Sequence, residues 1–369
     1  MSSNRSFISY FFVFFLFIAV YWGVTYTADW VNYESFFDGK QESRDIGFAY
    51  LTELFNDLDA DYIVLFRFHI VLMAGAFLHF MRKINAPAWI LIVFLFINYV
   101  ALGNQIRYYV ALPLTFLALY EYVIKKNPFT YLLFTIASVL MHFSILIFHL
   151  CFFIVYYLSL YLHNRLLFFI YVVNIVGFFL LVSGLGFQER YVEYLSEERT
   201  STWIGGIYNF LPSLISILSI IKIKQYVDSE YSNDYSDNNG DVVDSEDKGR
   251  EDEALEDEDC GDDDDGTSVN NDVVFYFLFI LSISTSLLIL PSLPMQILCN
   301  RFITPCFTVW LAFGIKAFSY SAYYRWRILF LLSLIVIVPV LWTFVFPFVF
   351  GIEPHFLIEA ALMIESYEL

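Results

Sequence analysis

Apolar stretches recur along nearly the whole chain, separated by short polar turns, and each matches the roughly 17–25 residues that a helix needs to cross a lipid hydrocarbon core. They predict spans near 7–24, 62–81, 87–103, 108–124, 166–184, 207–223, 273–290, 302–319 and 328–350. Phe7 to Val24 follows Arg5 as a signal peptide would, yet no small-x-small cleavage site trails it, so it is read as a retained span. The run from Phe129 to Leu162 is too long for one ordinary span and too short for two thick ones. Cytoplasmic loops collect Lys and Arg, so the distribution of bases decides. Two spans meeting near His142 to His149, with the N-terminus inside, place 13 of the 20 bases on the inner face. One span would put Lys222, Lys224, Arg325 and Arg327 outside. The expected architecture is therefore all-α: a polytopic helical bundle of about eleven spans, with the two short halves thin, tilted or re-entrant around a cavity near the outer face.

Composition agrees with that pattern. The chain has 369 residues, 59% hydrophobic and only 16% charged, more apolar than a water-soluble domain. The net charge of −18 is local, because residues 226–272 hold 20 acids and 2 bases while the rest is balanced. That segment is too polar to bury a core and reads as a disordered cytoplasmic loop. It separates an N-terminal membrane bundle over 1–225, with outer loops near 25–61 and 184–206, from C-terminal membrane helices over 273–350 and an outer-side tail over 351–369. Cys151, Cys260, Cys299 and Cys306 show no CxxC spacing and suggest neither a disulfide framework nor a zinc site.

The expected outer face carries Lys40, Arg44, Arg67, Arg107, Arg190, Arg199 and Arg301, six Arg among seven bases. A planar guanidinium grips phosphate or carboxylate in a bidentate way that Lys does not, so this bias points to anion recognition. Arg107 and Arg301 stand at short turns or span ends, where a charge near lipid must be paired; Arg67 and Arg190 are weaker candidates. Asn104, Gln105, Arg107 and Tyr108 gather amide, guanidinium and phenol groups at one helix start. Asp29, Tyr33 and Asp45 in the first outer loop mix carboxylates with aromatic rings, as sugar sites do, although an interfacial belt uses the same rings. His142, with Ser144 beside it, is a titratable group inside the membrane region and hence a functional candidate. His69, Arg67, His79 and His149 read more as packing or interface residues. The acids of Asp57-Leu58-Asp59-Ala60-Asp61 resemble hard-cation ligands, but capping of a helix start is favoured. No HExxH and no Walker A motif is present, so no metal, nucleotide or other cofactor is expected.

Ile106-Arg107-Tyr108-Tyr109-Val110-Ala111, and downstream Ile136 to Ser144 ending in His142-Phe143-Ser144, resemble the signature of EpsG-like and Wzy-type polysaccharide polymerases. Asp29 to Tyr33, then Asp45-Ile46-Gly47-Phe48, is similar to the first-loop pattern of those proteins, and Asn300-Arg301-Phe302 is similar to a later one. Tyr108 stands where the family has Gln, Asp45 where Glu is frequent, and the acidic insert is unusual. The resemblance implies a glycosyltransferase of the bacterial inner membrane that joins undecaprenyl-pyrophosphate-linked oligosaccharide units at the outer side, with no metal or nucleotide. It implies Arg107 and Arg301 on the pyrophosphate and Asp29, Asp45 or His142 as general base. Expected partners are the lipid-linked oligosaccharide, membrane lipid and a chain-length regulator or flippase, and no nucleic acid. Two other classes stay open: an O-acyltransferase of surface sugars, which would favour a His–acid pair, and a lipid-linked sugar transporter, which would favour repeated spans and midplane charges.

Overall fold

A computed structural model describes residues 2–24, 27, 29–41, 43, 45–161, 203–238, 271–289 and 302–344. All regular structure among them is helical: α1 Ser2–Trp22, α2 Trp30–Phe37, α3 Ile46–Asp57, α4 Tyr62–Lys83, α5 Ile90–Asn104, α6 Ile106–Val123, α7 Pro128–Met141, α8 Leu146–Tyr161, α9 Trp203–Asn238, α10 Asn271–Ser284, α11 Phe307–Tyr320 and α12 Arg325–Phe344. Tyr62–Lys83 and Asn271–Leu288 are long and apolar enough to cross a membrane, and Ile8–Trp22, Pro128–Met141 and Phe143–Ser159 are shorter apolar helices. The expected span at 166–184, the second outer loop up to residue 202, the tail and most of the acidic segment lie outside the described residues.

The centre of the bundle is α6, which packs against α4 on one side and α7 on the other. It is buried almost all round, as an interior helix must be when neighbours cover every face. Its two charged residues, Arg107 in the first turn and Glu121 in the last, both oppose the helix dipole, which favours anions at the N-terminus and cations at the C-terminus. Each therefore needs a partner from another element. Glu121 receives Lys83 of α4 at 3.1 Å. The partners of Arg107 come from the first loop.

The long apolar run is split into two helices. Asn127 caps α7 by accepting the Thr130 N–H at 3.1 Å, with Pro128 at the first helical position. The helix stops at His142, whose backbone is extended, and a single 3₁₀ turn over Phe143–Ile145 leads into α8. In α5 the ladder is interrupted at Asn98, where the side-chain amide donates back to the Phe94 carbonyl at 3.3 Å and its oxygen accepts from the buried Tyr109 hydroxyl at 3.2 Å. A polar side chain competing for ladder partners is a recognised cause of a kink.

The first outer loop is not without regular structure: α2 and α3 fill much of it, because Trp30, Tyr33, Phe37, Phe48 and Thr52 recur on buried helical faces. Nor is the acidic segment unstructured from its start, since α9 continues through residue 238. Val227 is buried, Tyr226 stacks on Tyr324 at 4.8 Å, and the Glu230 carboxylate accepts from the Ser321 hydroxyl and the Ala322 and Tyr323 N–H groups ahead of α12. These contacts anchor the acidic chain to the bundle where composition alone predicts solvation.

Candidate active site

At the break between α7 and α8 the backbone N–H of Phe143 points out of the helix and needs an acceptor. Asp45 supplies it from almost a hundred residues away: Oδ1 accepts the Phe143 N–H at 3.1 Å, while Oδ2 takes His142 Nδ1 at 3.2 Å and Arg107 Nη1 at 2.7 Å. Asp45 occupies the N-cap position of α3 yet makes no cap bond there, because its carboxylate is turned across to α6 and α7. Gly47 permits that approach. A Cβ at this position would lie 2.9 Å from the carbonyl carbon and oxygen of Leu140, so only glycine lets α3 sit against the end of α7.

Arg107 is held from several directions. Besides Asp45, its Nη1 donates to Ser43 Oγ at 3.0 Å, and Ser43 in turn accepts the Asp45 backbone N–H at 3.3 Å. The rings of Tyr33, Phe36 and Phe48 lie 5.0, 5.4 and 4.9 Å from the guanidinium carbon, within cation–π range. The guanidinium Nε is buried and has no acceptor among the described residues. Side-chain exposure of Asp45, His142 and Arg107 is 9%, 15% and 17%. Burial alone would raise the Asp45 carboxyl, but the hydrogen bond and charge of His142, the charge of Arg107 and the Phe143 N–H outweigh it, holding the carboxyl below its ordinary value.

An ionised carboxylate can only accept, so His142 Nδ1 carries the proton toward Asp45. In the neutral imidazole the lone pair then sits on Nε2, where the Ser144 hydroxyl donates at 2.7 Å. Tyr108 lies edge-on to this imidazole at 5.7 Å and to Phe302 at 5.4 Å. The result is an acid, an oriented base and a guanidinium in one cluster, built from the first loop, the start of α6 and the α7–α8 break. Among the described residues one carboxylate, Asp45, serves Arg107, His142 and the Phe143 N–H at the positive end of the α6 dipole.

Five of the sequence-derived candidates, Asp45, His142, Arg107, Tyr33 and Tyr108, meet here. Asp29 stands at the N-cap of α2, one turn before Tyr33, and makes no cap bond. Gln105 holds the N-cap position of α6 without a side-chain cap bond, its buried Oε1 accepting from no donor among the described residues, while the side chain of Asn104 lies outside them. Arg190 and Arg301 also lie outside the described residues. Arg67 is elsewhere: its Nη2 donates to the Trp22 carbonyl at 3.0 Å and its guanidinium covers the Trp22 ring at 4.5 Å, so it closes the C-terminal end of α1 instead of joining Arg107. His69 is packed in the core under Phe48, and His149 is likewise buried. Asp61 precedes α4 without a side-chain cap bond, and among the described residues no three His, Cys, Asp or Glu gather as metal ligands. Sequence reasoning missed Ser43 and Phe36, for which no local pattern exists, and named Ser144 only as a neighbour of His142.

A family model described as the EpsG family matches residues 8–239, well over half of the chain and all of the elements that build this cluster. No curated protein and no solved structure matches it.

Proposed function

The chain belongs to the EpsG family, a family of Wzy-like polysaccharide polymerase-type membrane proteins, and from that premise we propose that it joins lipid-pyrophosphate-linked oligosaccharide units into a surface polysaccharide. The observation that carries this reading is the Asp45–His142–Arg107 cluster, which pairs a positioned base with an anion-seeking guanidinium.

In the proposed reaction an acceptor sugar hydroxyl takes the place of Ser144 at His142 Nε2. The hydroxyl oxygen forms a bond to the anomeric carbon of the donor chain, and its proton passes to Nε2. The anomeric carbon–oxygen bond to the lipid pyrophosphate breaks, and that oxygen leaves with the electron pair as the diphosphate ester. Arg107, reinforced by the N-terminus of α6, stabilises the charge that grows there. Asp45 holds the imidazole in the productive tautomer and keeps Arg107 in register, so it acts through both as a positioning residue. Arg301 and Arg190 are further candidates for the pyrophosphate, supported for Arg301 by Phe302, one residue later, packing on Tyr108. Asp29, Tyr33, Gln105, Asn104 and Tyr108 are candidate sugar or phosphate contacts. The reaction as written calls on neither metal nor nucleotide, and the undecaprenyl carrier, the bacterial inner membrane and a cytoplasmic N-terminus belong to the same proposal.

The test is the surface polysaccharide of a deletion strain complemented with single variants. Wild type restores a ladder, and His142→Ala and Arg107→Lys leave single repeat units; a normal ladder from either variant overturns the assignment. One observation favours a second reading: Asp45, His142 and Ser144 form an acid–imidazole–hydroxyl chain like that of acyl-transfer enzymes. Were Ser144 an acyl-carrying nucleophile in an O-acyltransferase, Ser144→Ala would leave a long but under-acylated polymer. The polymerase reading expects Ser144→Ala to keep both ladder and acylation.

A further inference from the structure

A second polar locus lies at the far end of the bundle. Arg82 follows Tyr62 by 20 residues along α4, roughly 30 Å at helical rise, so it stands opposite the Asp45 cluster. Between the start of α1, the end of α4 and the turn into α5 opens a cleft of about 930 Å³. Its lining mixes polar Tyr10, His79, Arg82 and Asn85 with apolar Phe12, Leu78 and Ile92. The cleft is held open by local structure. Asn85 adopts a left-handed backbone at φ 52°, which Asn tolerates, and the Tyr10 hydroxyl donates to the Ala86 carbonyl, tying α1 to that turn.

The two adjacent bases here have different fates. Lys83 turns to Glu121, whereas the Arg82 guanidinium lines the cleft with neither a hydrogen bond nor an ion pair to any described residue. A guanidinium at the end of an apolar helix, beside a half-exposed Trp89 of the kind that marks a membrane interface, offers a phosphate its planar donor pair. The apolar lining calls for a hydrocarbon chain, which free phosphate lacks. We propose that this cleft seats an anionic phospholipid, its phosphodiester on Arg82 and Asn85 and one acyl chain along Phe12, Leu78 and Ile92. The orientation set by the bases makes it a lipid of the cytoplasmic leaflet. The inference is independent of the sugar chemistry at the other end.

The full chain in detergent is titrated by native mass spectrometry with dioleoylphosphatidylglycerol, dioleoylphosphatidylcholine and inorganic phosphate. Phosphatidylglycerol is expected to bind about ten-fold more tightly than phosphatidylcholine, because the choline ammonium beside the phosphodiester of phosphatidylcholine is repelled by Arg82 and weakens that charge-assisted contact. Arg82→Gln removes that preference, Lys126→Gln on the neighbouring exposed turn leaves it, and millimolar phosphate does not displace the lipid. Equal binding of the two lipids, a preference surviving Arg82→Gln, an equal loss in Lys126→Gln, or displacement by phosphate overturns the proposal. Should Arg82→Gln fail to fold, the otherwise wild-type chain decides: acyl-brominated phosphatidylglycerol quenches a fluorescence component that Trp89→Phe lacks, and the absence of that quenching refutes the site.

Discussion

The two ends of α6 solve one physical problem in opposite ways. Both carry a charge that the helix dipole disfavours, and both satisfy it with a partner more than 30 residues away. At the C-terminal end one acid meets one base: Lys83 and Glu121 neutralise each other and lock α4 to α6. At the N-terminal end the balance among the described residues is uneven, since one carboxylate serves Arg107, His142 and a backbone N–H while three aromatic rings and a serine crowd the guanidinium. A neutral pair is complete in itself. A cluster in which one carboxylate holds several donors is ordered in advance, which is the preorganisation that the proposed departure of a diphosphate would use.

That contrast can be broken most severely at the imidazole. His142→Ala removes the base while leaving Asp45 on Arg107 and Phe143, and polymerisation is expected to fall about 10²- to 10⁴-fold, the usual worth of general base catalysis. Membrane vesicles supplied with lipid-linked repeat units measure it as chain length against time. Arg107→Lys ranks next. Lys keeps the charge but not the fork that serves Asp45 and Ser43 together, so the rate should drop about 10- to 100-fold with the chain still folded. If Lys polymerises normally, the guanidinium is a structural cation like Lys83 and the contrast between the two ends dissolves.

Asp45→Asn separates the two ends by pH. The folded carboxyl is held below its unfolded value, so its contribution to stability is present above about pH 4, the unfolded carboxylate range, and is lost as pH falls through the folded value. Thermal unfolding in detergent should therefore show wild type losing its advantage over Asp45→Asn on acidification from pH 5 downward. An advantage that stays constant to pH 2 would mean that His142 and Arg107 do not hold the carboxylate in its ionised form.

How much of this was readable beforehand differs by region for physical reasons. The break near His142 was legible because the expected topology needs the run between Lys126 and Arg165 to form two helices, as α7 and α8 do. Arg107, Asp45 and His142 were legible as polar residues in an apolar chain, with the family resemblance ranking them. Arg67 was only partly legible, since a guanidinium at a span end looks the same whether it binds an anion or closes α1 on the Trp22 carbonyl. The helices of the first loop were hidden because aromatic residues occupy both their faces, which blurs the 3.6-residue period: Tyr50 is exposed while Phe48 is buried. Ser43 gave no signal, as its role exists only once the loop is folded over α6. The helical start of the acidic segment was obscured by net charge, which the single pinned residue Glu230 does not alter.

Gly47→Ala probes how the uneven end is assembled. The added carbon would press on the Leu140 backbone, which cannot swing aside as a side chain would. Overpacking of this kind costs about 1–3 kcal/mol, and the shift of α3 should also lengthen the Asp45–His142 contact. Lowered thermal stability together with shortened polymer is expected. A variant of wild-type stability would show that α3 and α7 approach less closely than the cluster needs.

The smallest effect is expected at the neutral pair, and its asymmetry is informative. Glu121→Gln removes a charge but keeps an oxygen for Lys83, so the loss should be about 0.5–1 kcal/mol. Lys83→Met leaves a carboxylate with only 7% side-chain exposure facing its own helix C-terminus, and should cost more, about 1–2 kcal/mol. Lys83 is itself one-third exposed, which is why the penalty stays below that of a fully buried broken pair. Both variants should polymerise at the wild-type rate when assayed well below their melting temperatures. If Lys83→Met instead shortened the polymer as Arg107→Lys does, the two ends of α6 would be coupled, and the division between a bracing pair and a reacting cluster would have to be abandoned.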